Sequence, residues 1–525
     1  MSSVAVISTL FSAEKWSDND ALLDEYALAL NGSRCRPAAI VWPENEDDLL
    51  ELVNAANHHQ FTIHILAQGK NWGYGTAQAT ASDQVIVNLK LMNSVLEINE
   101  DDAYVRIQPG VTQSQLHDAI MSNGASLQLD ITAAGKHTSV VGNVLERGFG
   151  HTNYSDRFGS VLSMRVLLPT GKIIETGMGA YQQSVAKHVY PYGIGPVLQG
   201  LFSQSNLGIV LEMTLALQPA PDFDLNIVIL CKSYADAPKV VCEMARLKRL
   251  GIVTSGVHTA SMARAMGENA KNVAGAWVVT TTLSGPKSMA KARYREMKKS
   301  LNKTVPGLRF VALTRQRWNI IQWVNKYLKS PHIESLKIVW DLKQGTPTDD
   351  AIKTLLDHPT AHSQMKTKDF PAYFRWICAV TSSKTQDIER MLEICRPLFA
   401  EHGYEERYTM TNVTERAVVL IANIRYEKTP ESVVRAKAFY KALDTALLEQ
   451  GFCPYRSGSG LFGDIYPYIE PNHLALLDQL KKAMDPNQIL SPGKYWCGQL
   501  PSQPQPQPQP QTEKVDREML AKADG

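Results

Sequence analysis

Apolar and polar residues in the early part of the chain alternate between the spacing of strands and that of helices. The apolar run at residues 39–42 predicts a strand, and the apolar side chains from 49 to 56 recur every three or four positions, which predicts an amphipathic helix. Residues 61–66 predict a second buried strand, and residues 114–123 predict a helix with Ser114 as its N-cap. After a mainly helical lead-in, this order predicts a small α+β unit.

The rest of the chain shows two further regions of the same mixed kind. Strong strand patterns between 162 and 217 indicate a second unit, which ends near the Pro-Ala-Pro sequence at 219–221. From 225 to 450, β-rich runs alternate with long amphipathic helices, which predicts a separate α+β domain. The Pro-Gln repeat after Gly498 predicts a disordered, polyproline-like tail.

A loop with three glycines in seven residues follows the strand predicted at 61–66. Gly69, Gly73 and Gly75 let backbone N–H groups turn toward one anion without interference from Cβ atoms, and Lys70 adds a cation beside them. The spacing differs from both the G-x-G-x-x-G dinucleotide pattern and the P-loop. Taken alone, the loop predicts a tight turn more readily than a cofactor site. The chemistry of its residues nevertheless suits capture of a pyrophosphate.

The amino-acid composition of the chain argues against several kinds of binding partner. With 525 residues, 44% of them hydrophobic, and a net charge of +2, the chain predicts two or three domains and no polyanion-binding surface, so nucleic acid is not an expected partner. No apolar run is long enough to span a bilayer and the N-terminus lacks a signal-peptide pattern, so no membrane association is expected. The seven cysteines are dispersed without a CxxC pair, which argues against a metal site and favours a reducing, cytoplasmic location.

Several motifs, in order, resemble the vanillyl-alcohol oxidase and p-cresol methylhydroxylase (PCMH) family. They are the glycine loop and residues 108–111, 142–150, 167–171, 202–210 and 484–494. The resemblance implies FAD as the cofactor and an α+β fold, with a PCMH-type FAD-binding domain of two α+β subdomains and an α+β cap domain. The boundaries that follow are a lead-in at 1–35, the FAD domain at 36–221, the cap at 222–450, a C-terminal segment at 451–498 that returns to the FAD domain, and the disordered tail at 499–525.

The resemblance also implies which residues bind the cofactor. The pyrophosphate would be bound by backbone N–H groups of Gln68, Gly69, Lys70, Asn71, Trp72, Gly73 and Tyr74. Further contacts would come from Ser139, Asn143, Gly148, Gly150 and, at the adenine end, Ile209. Arg456 and Lys494 are candidate cations for the negative charge that a reduced flavin gains. For Asn143 and the pair Glu146–Arg147, helix capping and an ordinary surface ion pair are the alternative interpretation.

The expected chemistry is oxidation of a para-substituted phenol or aromatic alcohol. In the family resembled, two tyrosines and an arginine bind the substrate as a phenolate, and the matching residues here are Tyr74, Tyr455 and Arg456. Hydride transfer to the flavin N5 would then give a quinone methide, with O2 as the expected electron acceptor and a cytochrome-linked dehydrogenase still open. The alternatives are a natural-product oxidase that acts on a non-phenolic alcohol or catalyses an oxidative cyclisation, and a flavin-binding protein without turnover. Members of the family often dimerise, so a homodimer is also expected.

Two departures from the family pattern qualify these expectations. In the loop at 129–139, Ala133 or Ala134 occupies the place of an acid that acts near the flavin, while Asp130 matches an earlier, structural acid. His137 is either a substitute base or a loop histidine with satisfied hydrogen bonds. The cap strand at 371–378 lacks the histidine that carries a covalent flavin in relatives. Non-covalent FAD is therefore expected, with a link through Tyr373 as the second possibility.

Overall fold

The computed structural model describes residues 1–152, 156–267, 275–356, 358–458 and 462–495. The expected tail at 499–525 lies outside these ranges, as do residues 496–498 of the C-terminal segment. The fold is α+β, as the sequence predicts. Within the described ranges, none of the helices combines the length and the apolar character needed to cross a bilayer.

The first sheet presents the glycine loop at one edge. It consists of β1 (Trp16–Ser17), β2 (Ala39–Val41), β3 (Ile63–Leu66) and β4 (Val85–Asn88), in the order β1-β2-β4-β3, and β2, β4 and β3 run parallel. Because the carboxyl ends of parallel strands lie at one edge, β3 delivers the loop there. The accompanying helices are α1 (Ser3–Leu10), α2 (Asp20–Ala27) and α3 (Glu46–His59).

Helix α3 shows why the predicted pattern folds as it does. Asn45 caps its first turn by accepting a hydrogen bond from the Asp48 N–H at 2.9 Å, and the three acidic residues of that turn complement the helix dipole. Leu49, Leu52 and Val53 are fully buried against the sheet. The periodic apolar positions read from the sequence are therefore the face that holds α3 to the strands.

The second sheet is antiparallel throughout, in the order β5-β6-β10-β8-β9. Its strands are β5 (Val95–Asn99), β6 (Tyr104–Ile107), β8 (Val161–Leu167), β9 (Ile173–Glu175) and β10 (Ile209–Ala216). β7 (Leu127–Gln128) pairs separately with β11 (Gln218–Pro219). The helices of this unit are α4 (Gln113–Ser122) and α5 (Val140–Leu145).

The predicted N-cap of α4 is wrong by two residues. Thr112 is the cap, because its hydroxyl accepts from the Gln115 N–H at 3.2 Å while the Gln115 side chain accepts from the Thr112 N–H at 2.9 Å. The two residues thus form a reciprocal capping box. The Ser114 N–H instead donates to the Lys136 carbonyl at 3.0 Å, which ties the helix to the loop at 129–139.

A seven-stranded antiparallel sheet forms the third region, in the order β15-β12-β14-β13-β17-β18-β16. Its strands are β12 (Asp224–Cys231), β13 (Val257–Ser261), β14 (Trp277–Ser284), β15 (Arg309–Leu313), β16 (Tyr373–Ser382), β17 (Tyr408–Asn412) and β18 (Ala417–Tyr426). The helices are α6 (Asp236–Arg249), α7 (Met262–Met266), α8 (Lys287–Thr304), α9 (Arg315–Leu328), α10 (Pro331–Lys343), α11 (Asp350–Leu356), α12 (Thr385–Glu401) and α13 (Pro430–Glu449).

This sheet buries both of its faces. On β12, Ile227 and Ile229 join the core formed with α6, α8, α12 and α13, while Val228, one position apart, packs on the opposite face near Leu336 of α10. The alternation follows from the two-residue period of a strand. The second face is the one turned toward α7 and α10.

The C-terminal segment contains α14 (Phe462–Ile465) and α15 (Pro471–Met484), and a buried ion pair fixes the residues that follow α15. The fully buried Lys481 ammonium lies 2.7 Å from the Asp485 carboxylate and also donates to the carbonyls of Asn206 and Leu490. Asp485 in turn accepts from the Ile489 N–H at 3.0 Å. Leu490 forms a bridge to Ile63 of β3, so this segment lies beside the strand that precedes the glycine loop.

Candidate active site

A cleft with about 1150 Å³ of empty space, part of it continuous with solvent, lies where the glycine loop meets α5 and the C-terminal residues. The expected site residues that line it are Gln68, Gly69, Lys70, Asn71, Tyr74, Ser139, Asn143, Ile209, Arg456 and Lys494. The expected residues outside its lining are Trp72, Gly73, Gly148, Gly150 and Tyr455. The second group supports the wall from behind, as its contacts show.

The shape of the glycine loop requires its glycines. Gly69, Gly73 and Gly75 have φ values of 63°, 74° and 118°, which side-chain-bearing residues rarely adopt. A Cβ on Gly73 would also come within 2.5 Å of the Trp376 ring, whose indole N–H donates to the Trp72 carbonyl at 3.0 Å. The loop is therefore held against cap strand β16 on one side and faces the cleft on the other.

The cleft side of this loop suits a bound anion. In the part of the chain that the structure describes, the backbone N–H groups of Gly69 and Lys70 have no acceptor. Burial lowers the pKa of the Lys70 ammonium, so a nearby negative charge would be favourable for it. Free N–H groups beside a partly desolvated cation are a suitable cradle for a pyrophosphate.

The opposite wall is the first turn of α5. Ser139 caps this helix by accepting from the Gly142 N–H at 2.8 Å and donates to the Pro109 carbonyl at 2.6 Å. Asn143 accepts from Arg157 at 2.7 Å. A Cβ on Gly148 would collide with the Asn143 amide, so that glycine permits the orientation of Asn143 rather than lining the cleft itself.

Gly150 plays a similar supporting role beside Asp130. A Cβ on Gly150 would overlap the Asp130 carboxylate, which accepts from the Thr152 N–H at 2.9 Å and from its hydroxyl at 2.6 Å. Asp130 is buried, and its contacts are those of a structural acid. Ala134, in contrast, lines the cleft. Of the two alanines expected at the place of the family's loop acid, Ala134 is thus the one in the cleft lining.

The three residues expected to bind a phenolate lie together. The Arg456 guanidinium stacks over the Tyr74 ring at 4.2 Å, and the Tyr455 hydroxyl interacts with both Tyr74 and Arg456. The Tyr74 hydroxyl also lies 2.5 Å from the thiol of Cys378 on β16. Arg456 makes a further hydrogen bond to the Asn71 side chain, which connects the cluster to the glycine loop.

Burial sets the protonation states in this cluster. Desolvation raises the pKa of both Tyr74 and Tyr455, so each hydroxyl stays protonated and can donate a hydrogen bond. Burial opposes the charge on Arg456, yet the Glu146 carboxylate together with the surrounding tyrosines outweighs burial and raises the pKa of the guanidinium. Two neutral hydroxyl donors and a permanent cation therefore lie together at one end of the cleft, with Tyr74 and Arg456 in its lining and Tyr455 behind them.

Glu146 is the functional residue that the sequence analysis missed. Its carboxylate lies 3.6 Å from Arg456 and 3.7 Å from Lys494. Burial raises its pKa, but these two cations outweigh burial and hold the pKa below the ordinary value. The alternative of a surface ion pair with Arg147 is wrong, because Arg147 donates to Ser203 at 3.0 Å. The sequence did offer one signal for this residue: Arg456 and Lys494 were both expected at the site, and no acid had been assigned to balance them.

The remaining sequence candidates lie away from the cleft lining. The His137 ring nitrogen is 2.8 Å from the Ser363 hydroxyl, which fits the interpretation of a satisfied loop histidine. The Tyr373 ring packs edge-on against Tyr426, with the Lys428 ammonium 5.3 Å from its centre. Neither His137 nor Tyr373 lines the cleft, which disfavours both as partners of a flavin bound there.

Comparisons with known proteins bear on this site. Residues 37–177 match the family described as FAD binding domain. The chain is 27% identical over 508 residues to 1'-carboxy-chondrochloren decarboxylase of Chondromyces crocatus, covering 88% of this chain and 90% of the relative. It is 26% identical over 492 residues to the flavoprotein subunit of 4-cresol dehydrogenase [hydroxylating] of Pseudomonas putida, covering 91% of each.

Solved structures agree with these relatives. The fold superposes on 4-ethylphenol oxidase from Gulosibacter chungangensis with a TM-score of 0.83 at 25% identity, and on p-cresol methylhydroxylase with substrate bound with a TM-score of 0.85 at 22% identity. Each match covers 94% of this chain and 96% of the other. The chain is therefore an FAD-linked oxidoreductase, and the residues around the cleft fit that cofactor. Its fold is similar to that of the PCMH-type flavoproteins.

Proposed function

We propose that this enzyme oxidises a para-substituted phenol, bound as a phenolate, at its benzylic carbon. The observation that carries the proposal is the contact of Tyr455 with Tyr74 and Arg456, the latter two of which line one end of the cleft. A buried phenolate needs several donors, because an unpaired charge in a desolvated site is costly. Arg456 and Lys494 against the single carboxylate of Glu146 leave one net positive charge, which matches one phenolate.

Each residue has a distinct part in this mechanism. The tyrosine hydroxyls of Tyr74 and Tyr455 donate hydrogen bonds to the substrate oxygen, and Arg456 supplies the opposite charge. Electron release from the phenolate oxygen then weakens the benzylic C–H bond at the para position. Bound FAD supplies the two-electron acceptor. The resulting quinone methide is resolved by water or by loss of a proton, and with Ala134 at the cleft wall no loop carboxylate takes part.

The finer assignments belong to the same proposal. We propose non-covalent FAD, since Tyr373 lies outside the cleft lining. Oxygen is proposed as the acceptor, by analogy with the structure named an oxidase. A protein acceptor is the alternative, because the other relative is named as one subunit of a dehydrogenase. A homodimer remains an expectation from the family resemblance.

A second candidate function rests on two observations. The cleft carries Ala134 where an acid acts in the phenol oxidases resembled, and the chain is similar to a protein named 1'-carboxy-chondrochloren decarboxylase. These features favour a natural-product oxidase. The substrate of such an enzyme would be a larger molecule, and its reaction would extend beyond hydroxylation of a simple alkylphenol.

Anaerobic reduction of the purified enzyme tests the proposal. We expect 4-ethylphenol to bleach the visible flavin band and 4-ethylanisole to leave it unchanged, because the methyl ether keeps the ring and the ethyl group but cannot form a phenolate. Tyr455→Phe should slow the bleaching about 10- to 100-fold through loss of one hydrogen bond to a charged oxygen. Tyr468→Phe, at an exposed tyrosine, is the matched control.

Two outcomes would contradict the proposal. Equal bleaching by the phenol and its ether would exclude phenolate activation, and no bleaching by any para-alkylphenol would favour the second candidate. Acid precipitation of the same sample examines the flavin linkage. Yellow colour in the supernatant supports non-covalent FAD, and a yellow pellet contradicts it.

A further inference from the structure

A second buried cluster, made of basic groups, lies where the N-terminal region meets the seven-stranded sheet. The rings of His151 and His258 stack with their centres 4.2 Å apart. The Lys343 ammonium, at the end of α10, donates to the Gly256 carbonyl at 2.6 Å. Lys248, on α6, donates to the preceding carbonyl at 2.9 Å. We call His151, His258 and Lys343 the basic cluster.

The basic cluster has more donors than acceptors. His258 is only 8% exposed, and its Nδ1 atom lies 3.2 Å from the Thr411 hydroxyl. Its Nε2 atom is buried without a partner among the described residues. With Nδ1 accepting from the hydroxyl, a neutral ring carries its proton on Nε2, where it can donate. Lys343 is 3% exposed and has only a carbonyl as partner.

The nearest acid does not balance this charge. Asp130 gives Lys343 some electrostatic support, but its carboxylate accepts both hydrogen bonds of Thr152 and also faces Arg157. Burial lowers the pKa of Lys343 to about 7 and that of His151 to about 3. Burial is the first cause of both shifts, and for Lys343 the Lys248 ammonium lowers the pKa further while Asp130 opposes it only in part. One monovalent anion would balance one ammonium there, while His258 donates a hydrogen bond to it.

The basic cluster lies close to the phenolate-binding end of the cleft. His151 follows Phe149 by two residues, and the Phe149 ring packs against Tyr455 with centres 5.8 Å apart. Two residues span at most about 7 Å of chain. The Gly256 N–H donates to the Thr152 carbonyl at 3.0 Å, which fixes the seven-stranded sheet to this segment. The basic cluster is therefore linked to the phenolate-binding end through Phe149, which contacts Tyr455 and precedes His151 by two residues.

We propose that the basic cluster binds a carboxylate on the para side chain of the substrate, so that the substrate class is a phenolic acid. This inference rests on the proposed function, because it places the phenol oxygen at Tyr455 and Arg456. A monoanion fits better than a phosphate group, since Lys343 is the one cation of the cluster and both histidines are neutral at pH 7.

A matched pair of ligands tests this assignment. The pair is 3-(4-hydroxyphenyl)propanoate and its methyl ester, titrated anaerobically into the FAD-loaded enzyme by calorimetry, with the change in the flavin spectrum as a second signal. We expect the acid to bind about 10-fold or more tightly than the ester, the range for one hydrogen-bonded charge pair. Lys343→Met should remove that preference and leave the affinity for the ester within about 3-fold.

Lys337→Met is the matched control, because it removes the same charge from the same helix at a half-exposed position. It should keep the preference for the acid. If Lys343→Met does not fold, His258→Asn serves as the second variant, since it removes the Nε2 donor and should weaken the acid selectively. The proposal is overturned if the wild-type enzyme binds the ester as tightly as the acid, or if both folded variants weaken the two ligands equally.

The same experiment separates this inference from the proposed function. Ligand binding is measured without turnover, whereas bleaching by 4-ethylphenol measures phenol oxidation alone. Preferential binding of the acid without bleaching by any phenol would support the basic cluster and reject phenol oxidation. Bleaching by 4-ethylphenol with no preference for the acid would support phenol oxidation and reject the role of the basic cluster.

Discussion

Glu146 is the residue whose replacement tests the electrostatics of the site most directly. Its carboxylate lies 3.6 Å from Arg456, and the two cations beside it keep it ionised by lowering its pKa against the effect of burial. Glu146→Gln would leave Arg456 and Lys494 without their counter-ion while retaining nearly the same volume. The positive potential at the phenol oxygen should therefore rise, and the pKa of a bound phenol should fall.

The size of the shift follows from the geometry. Adding a hydrogen-bond length of about 3 Å to the Glu146–Arg456 separation places the carboxylate about 7 Å from a phenolate oxygen bound to that arginine. At an effective dielectric constant of about 20, two unit charges at that distance interact by about 2 kcal/mol. This energy corresponds to about 1.5 pKa units. We expect the bound phenol to ionise about one to two pH units lower in the variant.

Spectrophotometric pH titration of bound 4-chlorophenol measures this shift, because the ligand lacks a benzylic hydrogen and its phenolate absorbs separately from the phenol. Glu212→Gln is the control, since Glu212 also pairs with an arginine, at 3.1 Å, but lies outside the cleft lining. An unchanged or higher phenol pKa in Glu146→Gln, with both variants retaining FAD, would refute the electrostatic reasoning.

Three further predictions concern stability and cofactor binding. Lys481→Met should lower the free energy of unfolding by about 3 to 5 kcal/mol, because it leaves the buried Asp485 carboxylate without its cation. The control Lys482→Met, on the exposed face, should change the free energy of unfolding by less than about 0.5 kcal/mol. Urea unfolding measures both changes. Gly73→Ala should weaken FAD binding, measured by fluorescence titration, whereas Gly124→Ala, with similar φ but open space around its Cβ, should leave it unchanged. Burial lowers the folded-state pKa of Lys343 to about 7, so the unfolded chain binds more protons than the folded protein between about pH 7 and 10. The free energy of unfolding of the wild-type protein should therefore rise with pH in this range relative to Lys343→Met, by at most about 1.4 kcal/mol per pH unit. Equal slopes of the free energy of unfolding against pH for the two proteins would contradict this.

Local features of the site could be predicted from the sequence. The glycine loop, the start of α5 and the C-terminal motif each depend on backbone conformations that their own residues impose, as the positive φ values of Gly69 and Gly73 show. Ser139 caps α5 through a contact three residues away, which a sequence pattern captures. The N-cap of α4 was misplaced because Thr112 and Ser114 are both capping residue types, and only the reciprocal bond with Gln115 decides between them.

Contacts between distant segments could not be predicted in this way. Glu146 finds its partners Arg456 and Lys494 only when the C-terminal segment lies against the loop after α5, so its neighbour Arg147 was the natural but wrong choice. The basic cluster is a stronger case. Lys343 and His258 belong to a region without any recognisable motif, and only the packing of α10 on the seven-stranded sheet brings them near His151.

The absence of a loop acid acquires a physical reason once both ends of the site are considered. Ala134 lines the cleft, and its loop also carries the Ile131 carbonyl that accepts from the His151 N–H at 3.1 Å. A carboxylate at position 134 would therefore face the cleft from the loop that also contacts the backbone of His151. Like charges in a desolvated site repel strongly, so an acid there would oppose a phenolic acid substrate while suiting a neutral alkylphenol. On the proposed phenolic acid substrate, an alanine at this position would avoid that repulsion.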